Sequence, residues 1–127
     1  MTAIPQAPTS TGLSANVAGL LAYVLGPLTG VLFLVIEKEN RFVRFHAAQS
    51  VAVSLAIIAL SIAFSVLSAM LAVVPILGWI VALLAGLVFG LVTFVLWIVL
   101  MLRAFQGREW EAPIVGRYAR SFVTSAT

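Results

Sequence analysis

The sequence predicts an all-α integral membrane protein with three transmembrane helices and a short C-terminal interfacial helix. Three observations lead there. The 127 residues are 63% hydrophobic and only 9% charged, with a mean hydropathy of +1.20, which leaves too few polar side chains to coat a soluble globule of this size. The apolar residues fall into uncharged runs long enough to cross about 30 Å of hydrocarbon at roughly 1.5 Å per residue. All seven basic residues sit in two short segments, Lys38 to Arg44 and Arg103 to Arg120.

The first twelve residues, "MTAIPQAPTSTG", contain no Lys or Arg ahead of the first apolar run, so they lack the basic opening of a secretory signal. Residues 1–12 are expected to be a retained, flexible polar tail. A membrane domain is expected over 13–103. Its first span is residues 13–36, which carry no charge. The next uncharged stretch runs from after His46 to Arg103, right for two helices and a tight turn. Pro75 and Gly78 in "VVPILGW" place that turn, giving spans of about 49–72 and 79–102. Residues 104–127 then form a tail.

Three spans bring both basic segments to one side. The positive-inside rule makes that side cytoplasmic and the uncharged N-terminus external, in what the resemblance below makes a prokaryotic cytoplasmic membrane. A net charge of +3 and a pI near 10.2 raise nucleic-acid binding as a question. However, the basic residues lack a free face with interleaved base-stacking aromatics, so topology and headgroup contact explain them and no nucleic-acid partner is expected. With no cysteine and one histidine, neither a thiolate nor a filled metal coordination sphere is expected from the chain, nor any cofactor. No nucleophile-and-base or paired-acid constellation stands out, so no catalytic residue is assigned.

Within the membrane, Ser54, Ser61 and Ser68 recur at heptad spacing with Ser65 beside them. Such a seam serves helix packing or, alternatively, a polar conduit or oligomer interface. Gly26 with Gly30 and Gly86 with Gly90 are G-x-x-x-G pairs that permit close helix crossings. Pro27 removes a backbone donor and is expected to kink the first span. Trp79 suits the outer interface and Trp110 the inner one; Trp97 has no role in this reading.

The stretch "ENRFVRFHAAQS" (39–50) concentrates the polar chemistry. Asn40 is placed to N-cap a helix starting at Arg41. Arg41 and Arg44 share one face and Phe42, Phe45 and Gln49 another, so the cluster works as a collar that fixes depth and orientation. The functional alternative makes Arg41, Arg44, His46 and Gln49 a site for an anionic headgroup or a partner's carboxylate. In the tail, Pro113 is placed to open a helix over about 113–122. Ile114, Tyr118 and Phe122 lie on one side of it, Arg117 and Arg120 on the other. Arg117, Tyr118 and Arg120 join the candidate binding residues.

On "LAYVLGPLTGVLFLVIEKENRFVRFHAAQS" and "AFQGREWEAPIVGRYA", the chain resembles a family of small, largely uncharacterised prokaryotic membrane proteins. These are often described as similar to the membrane-embedded Tic subunit of the chloroplast inner-envelope import machinery. The resemblance spans about Ala15 to Ala119. It implies a compact helical membrane protein and, through the plant relatives, a part in protein translocation; it carries over no catalytic residue. The function expected is that of a non-enzymatic accessory, scaffold or assembly subunit docking lipid, a partner protein or its own copy at the basic face. The alternative is an oligomeric small transporter or translocation conduit.

Overall fold

A computed structural model describes residues 8–126, with side chains as far as Thr124. Most of the expected flexible tail at 1–12 therefore lies outside the described residues. Five helices form: α1 (Ala15–Val24), α2 (Pro27–Ile36), α3 (Arg41–Leu71), α4 (Leu77–Phe105) and α5 (Gly116–Ala126).

α3 and α4 are the two helices long and apolar enough to cross a membrane, at 31 and 29 residues. At about 1.5 Å per residue they extend roughly 46 and 43 Å. They pack as an antiparallel hairpin in which Phe64 stacks on Phe89 with ring centroids 5.6 Å apart. Their distal halves are apolar and exposed, as at Leu60, Ile62, Val66 and Met70 on α3 and Leu83, Leu87 and Leu91 on α4. A soluble core helix would bury those side chains; a lipid-facing one need not.

The first expected span needs correction. Residues 13–36 are not one rod but two ten-residue helices, each about 15 Å long and so half of a hydrocarbon core. Pro27 does more than kink the chain. Gly26 takes φ 62°, a left-handed backbone open chiefly to glycine, and Pro27 then starts α2 at the position where its missing N–H is harmless. The chain folds back. The Ser10 N–H donates to both carboxylate oxygens of Glu37, at 3.1 and 2.9 Å, and Phe33 near the end of α2 joins Ala15 and Ala18 from the start of α1 in one buried cluster. The entrance to α1 and the exit from α2 thus lie together.

A turn at Pro75–Gly78 is present, and it has a twin. In Pro75-Ile76-Leu77-Gly78 the Leu77 N–H reaches the Pro75 carbonyl at 2.7 Å, and in Pro113-Ile114-Val115-Gly116 the Val115 N–H reaches that of Pro113 at 2.7 Å. The intervening isoleucines take φ 65° and 67°, a strained γ-turn for a β-branched residue. Each Gly N–H then bonds the carbonyl of the residue before proline, at 3.0 Å in both cases. The same device opens α4 and α5.

This also moves the last helix. It begins at Gly116 rather than Pro113, because residues 113–115 are spent in the turn. α5 does not lie apart as a surface rod. Gly116 abuts the Gln49 side chain, Ala119 and Val123 pack with Phe45 and Ala48, and Thr124 reaches the cleft that Arg41 lines. α5 therefore runs antiparallel along the first turns of α3.

Candidate functional site

Four polar residues of 39–50, Asn40, His46, Gln49 and Ser50, are buried, while Glu39 and Arg41 stay exposed. Asn40 caps α3 as expected, its side chain accepting from the Val43 N–H at 3.1 Å. One turn further in, His46, Gln49 and Ser50 line the inner face of α3, buried to 0, 0 and 2% exposure. His46 is ringed edge-on by Tyr23, Phe42 and Phe45, with centroids 5.4, 4.6 and 5.1 Å away.

Hydrogen bonds order this hub. Gln49 Nε2 donates to the Tyr23 hydroxyl at 2.8 Å and to the Trp110 carbonyl at 2.9 Å, while Gln49 Oε1 accepts from the Ala112 N–H at 2.8 Å. The Tyr23 hydroxyl lies 2.7 Å from His46 Nδ1, and His46 Nε2 lies 2.9 Å from the Arg108 carbonyl. A carbonyl can only accept, so Nε2 carries the proton and donates to it. Nδ1 then accepts from tyrosine. Tyr23, His46 and Gln49 form a relay whose output is the backbone of the 106–115 segment.

A second set of donors holds the fold-back tip. Ser50 Oγ donates to the Gly26 carbonyl at 2.8 Å, Trp97 Nε1 to the Tyr23 carbonyl at 2.7 Å, and Thr29 Oγ1 to the Ala22 carbonyl at 3.0 Å. This gives Trp97 the role that the sequence reading lacked. Irregular backbone at membrane depth is tolerated only where the protein supplies such partners. Asn16 Nδ2 similarly donates to the Phe105 carbonyl at the end of α4, at 3.2 Å.

Three residues expected to face headgroups or partners are therefore placed otherwise. His46 and Gln49 are wholly buried and bonded within the chain. Arg44 is half-buried and turned onto α2, where Nη1 donates to the carbonyls of Leu34 at 3.2 Å and Glu37 at 2.7 Å; a cation at a helix C-terminus is favourably placed. Arg120 is clamped as well. It pairs with Glu109 at 2.8 Å and with Glu111, and its guanidinium lies 4.4 Å from the Phe45 ring centroid. Burial would lower its pKa, but the hydrogen bonds and charges of Glu111 and Glu109 outweigh that and raise it.

Arg41, Arg117 and Tyr118 remain on the surface. Lys38 is exposed as well, and the three cations Lys38, Arg41 and Arg117 make up the basic rim, while Tyr118 stands over the apolar cleft of Leu34, Ala48 and Leu55. Among the described residues no group of three or more His, Cys, Asp or Glu side chains gathers into a metal site.

The packing residues divide. Ser54 Oγ would meet a Cβ on Gly26 at 3.3 Å, and a Cβ on Gly30 would meet Val51 Cγ2 at 2.9 Å, so α2 crosses α3 closely there. Ser61 and Ser68 are half-buried and share the stripe of Phe64, which faces α4. Ser65 is exposed and bonds back to the Ser61 carbonyl at 2.8 Å. Gly86 adjoins Phe64, whereas nothing lies within 4 Å of a Cβ on Gly90.

Glu37 is buried beside the rim. Burial would raise its pKa, but N–H donors from Asn40, Ser10 and Glu39 prevail and hold it below the ordinary carboxylate value. The stabilisation this gives is complete above the ordinary glutamate range and disappears as pH falls through the lowered value. Amide protection at Ser10 and Asn40, measured by hydrogen exchange, is therefore expected to be full above the ordinary glutamate range and to be lost as acid titrates the carboxylate. Glu37→Gln should show weak protection of both amides at every pH; a pH-independent wild type would exclude the carboxylate as the clamp.

Residues 8–119 match the MamF/MmsF family, described as the magnetosome magnetite crystal formation protein family. The chain belongs to the MamF/MmsF family. Among its relatives, a UPF0132 membrane protein of Methanocaldococcus jannaschii is 43% identical over 119 residues, covering 90% of this chain and 93% of the relative. Another, from Archaeoglobus fulgidus, is 42% identical over 107 residues, covering 84% and 93%. A second Methanocaldococcus jannaschii membrane protein is 33% identical over 116 residues, covering 88% and 75%. No solved structure matches. These findings agree with the expected small membrane-protein family, and they give no support to kinship with the Tic subunit. The MamF/MmsF match covers the fold-back, the hub residues and the turn into α5, and stops at Ala119.

Proposed function

We propose that this MamF/MmsF chain is a non-enzymatic accessory protein of a prokaryotic cytoplasmic membrane. It crosses twice, through α3 and α4, and meets anionic headgroups with its basic rim. One observation carries the reading: the hub residues, Tyr23, His46 and Gln49, are spent on the chain's own backbone and on one another. What faces outward is a lipid-exposed apolar surface and the rim of Lys38, Arg41 and Arg117.

Two crossings replace the expected three. With Ser10 bonded to Glu37 and α1 and α2 each too short to span, the N-terminal side of α1, the 37–40 loop and α5 share one face. Both basic segments lie on it, and the positive-inside rule makes it cytoplasmic. The external N-terminus expected from three spans is given up in this reading. The family's description ties members to magnetite crystal formation in magnetosomes. For this chain we carry over no mineral binding, and the role at the membrane rests on its own apolar surface and basic rim.

The conduit alternative, including the translocation role implied by the Tic resemblance, needs the serine stripe to line a path. Ser61 and Ser68 lie in the α3–α4 seam instead, which favours the accessory reading.

The test uses single cysteines in a chain that has none. Ser10→Cys and Ser121→Cys are expected to react with an impermeant thiol reagent only after permeabilisation of intact cells. A photoreactive residue at Arg41 is expected to capture phospholipid. External labelling at position 10 would sink the two-crossing topology. Capture of one protein in place of lipid would make the rim a protein-docking surface.

A further inference from the structure

We propose that the molecule is a leaflet wedge. It fills the leaflet at its charged end with α1, α2 and α5 besides the two spans, and the opposite leaflet with α3 and α4 alone. It therefore concentrates where a bilayer curves with the charged end on the convex side. The proposal rests on the two-crossing topology above.

Depth comes first. The fold-back tip at Gly26 bonds Ser50 and abuts Ser54, which lies about 20 Å along α3 from Arg41 at roughly 1.5 Å per residue. The helix continues to Leu71, a further 25 Å or so. Beyond the tip only α3 and α4 go on, and their outward side chains there are exposed.

The outer surface of the charged-end half is also built for lipid. Leu28, Leu32 and Val35 run along α2, each half-exposed or more, with Leu25 just before it, and Tyr118 and Phe122 do the same on α5. Tyr118 and Phe122 share an apolar cleft with Leu34 of α2 and with Val51 and Leu55 of α3, so the same acyl chains that cover the spans cover these side chains. The tip needs no further protein to satisfy its backbone, since Ser50, Trp97 and Thr29 already do so.

Area then decides the sign. Each helix is about 10 Å across, so one leaflet must house up to five rods and the other two. In a flat bilayer the extra rods compress one leaflet. Convex curvature on that side relieves the compression, in the way that apolar faces inserted into a single leaflet are curvature-sensitive.

The experiment reconstitutes the full-length Ser121→Cys chain, dye-labelled, into giant vesicles of mixed neutral and anionic phospholipid from which membrane tubes are drawn. An external quencher identifies the molecules whose charged end faces out. For these, protein density on the tube relative to the parent vesicle is expected to rise several-fold as the tube narrows, and molecules facing inward should be depleted. The double variant Leu28→Asn, Leu32→Asn makes the lipid face of α2 polar while leaving α3 and α4 untouched. Its ratio should fall towards one. A wild-type ratio of one at every radius overturns the wedge alone, as does undiminished sorting by the variant. Labels showing residues 10 and 121 on opposite sides overturn the topology and the wedge together.

Discussion

Gln49→Leu is expected to destabilise the protein by about 3–5 kcal/mol, among the largest effects of any single substitution in the chain. Leucine fills the space but makes no hydrogen bonds. The Trp110 carbonyl and the Ala112 N–H, both served by the Gln49 amide at 2.9 and 2.8 Å, are left unpaired inside the fold. A buried backbone group without a partner costs roughly 1–3 kcal/mol, and here two are orphaned while Tyr23 also loses its donor. The 106–115 segment should then detach. Detergent-solubilised protein titrated with a denaturing surfactant and followed by tryptophan fluorescence would show an early transition, and limited proteolysis should cut near Arg108 and Arg117. Asn16→Ala removes one exposed bond at the end of α4 and is expected to cost no more than about 1 kcal/mol. Equal effects of the two substitutions would remove the hub's special standing.

Gly78→Ala is expected to disrupt the α3–α4 hairpin, while Gly90→Ala leaves it intact or strengthens it. A Cβ on Gly78 would collide with the Leu71 carbonyl oxygen and stand 2.8 Å from its carbon. Those are backbone atoms at the end of α3, so no side chain can swing away. Relief requires opening a turn already strained at Ile76, and a loss above about 3 kcal/mol follows. At Gly90 there is nothing within 4 Å, and alanine's better helix propensity contributes up to about 1 kcal/mol. Surfactant-induced unfolding of both variants gives the comparison. A Gly78→Ala protein as stable as wild type would show that the turn has other conformations open to it.

Individual residues show how far the sequence could be read. The cap at Asn40 and the turn between the long helices were legible, because each depends on a local rule about one residue's donors or backbone freedom. The fold-back was not, since 24 uncharged, mostly apolar residues satisfy one rod of about 36 Å and two of about 15 Å equally well by composition. The choice came from Ser50, Trp97 and Thr29, which meet the broken backbone from other parts of the chain. The hub was located but turned the wrong way. His46, Gln49, Ser50 and Val53 recur at i, i+3, i+4 and i+7 on an otherwise apolar helix, a spacing that marks an inward face. Ser50 bonds Gly26, 24 positions earlier, and the backbone that His46 and Gln49 bind lies about sixty positions later, at Arg108, Trp110 and Ala112, beyond the reach of helical periodicity. The repeated Pro-Ile-x-Gly was a further signal, visible in sequence once its two copies are set side by side.

Composition and charge placement, by themselves, determined that this is a helical membrane protein with its basic residues gathered in two segments, because the balance of apolar surface and charge is a property of the chain rather than of its path. Tertiary structure alone decided that the first apolar stretch turns back, that the polar stretch faces inward and that α5 stands against α3. Each of those outcomes is fixed by a hydrogen-bond or steric partner distant in sequence, and such a partner acts only once folding has brought it near.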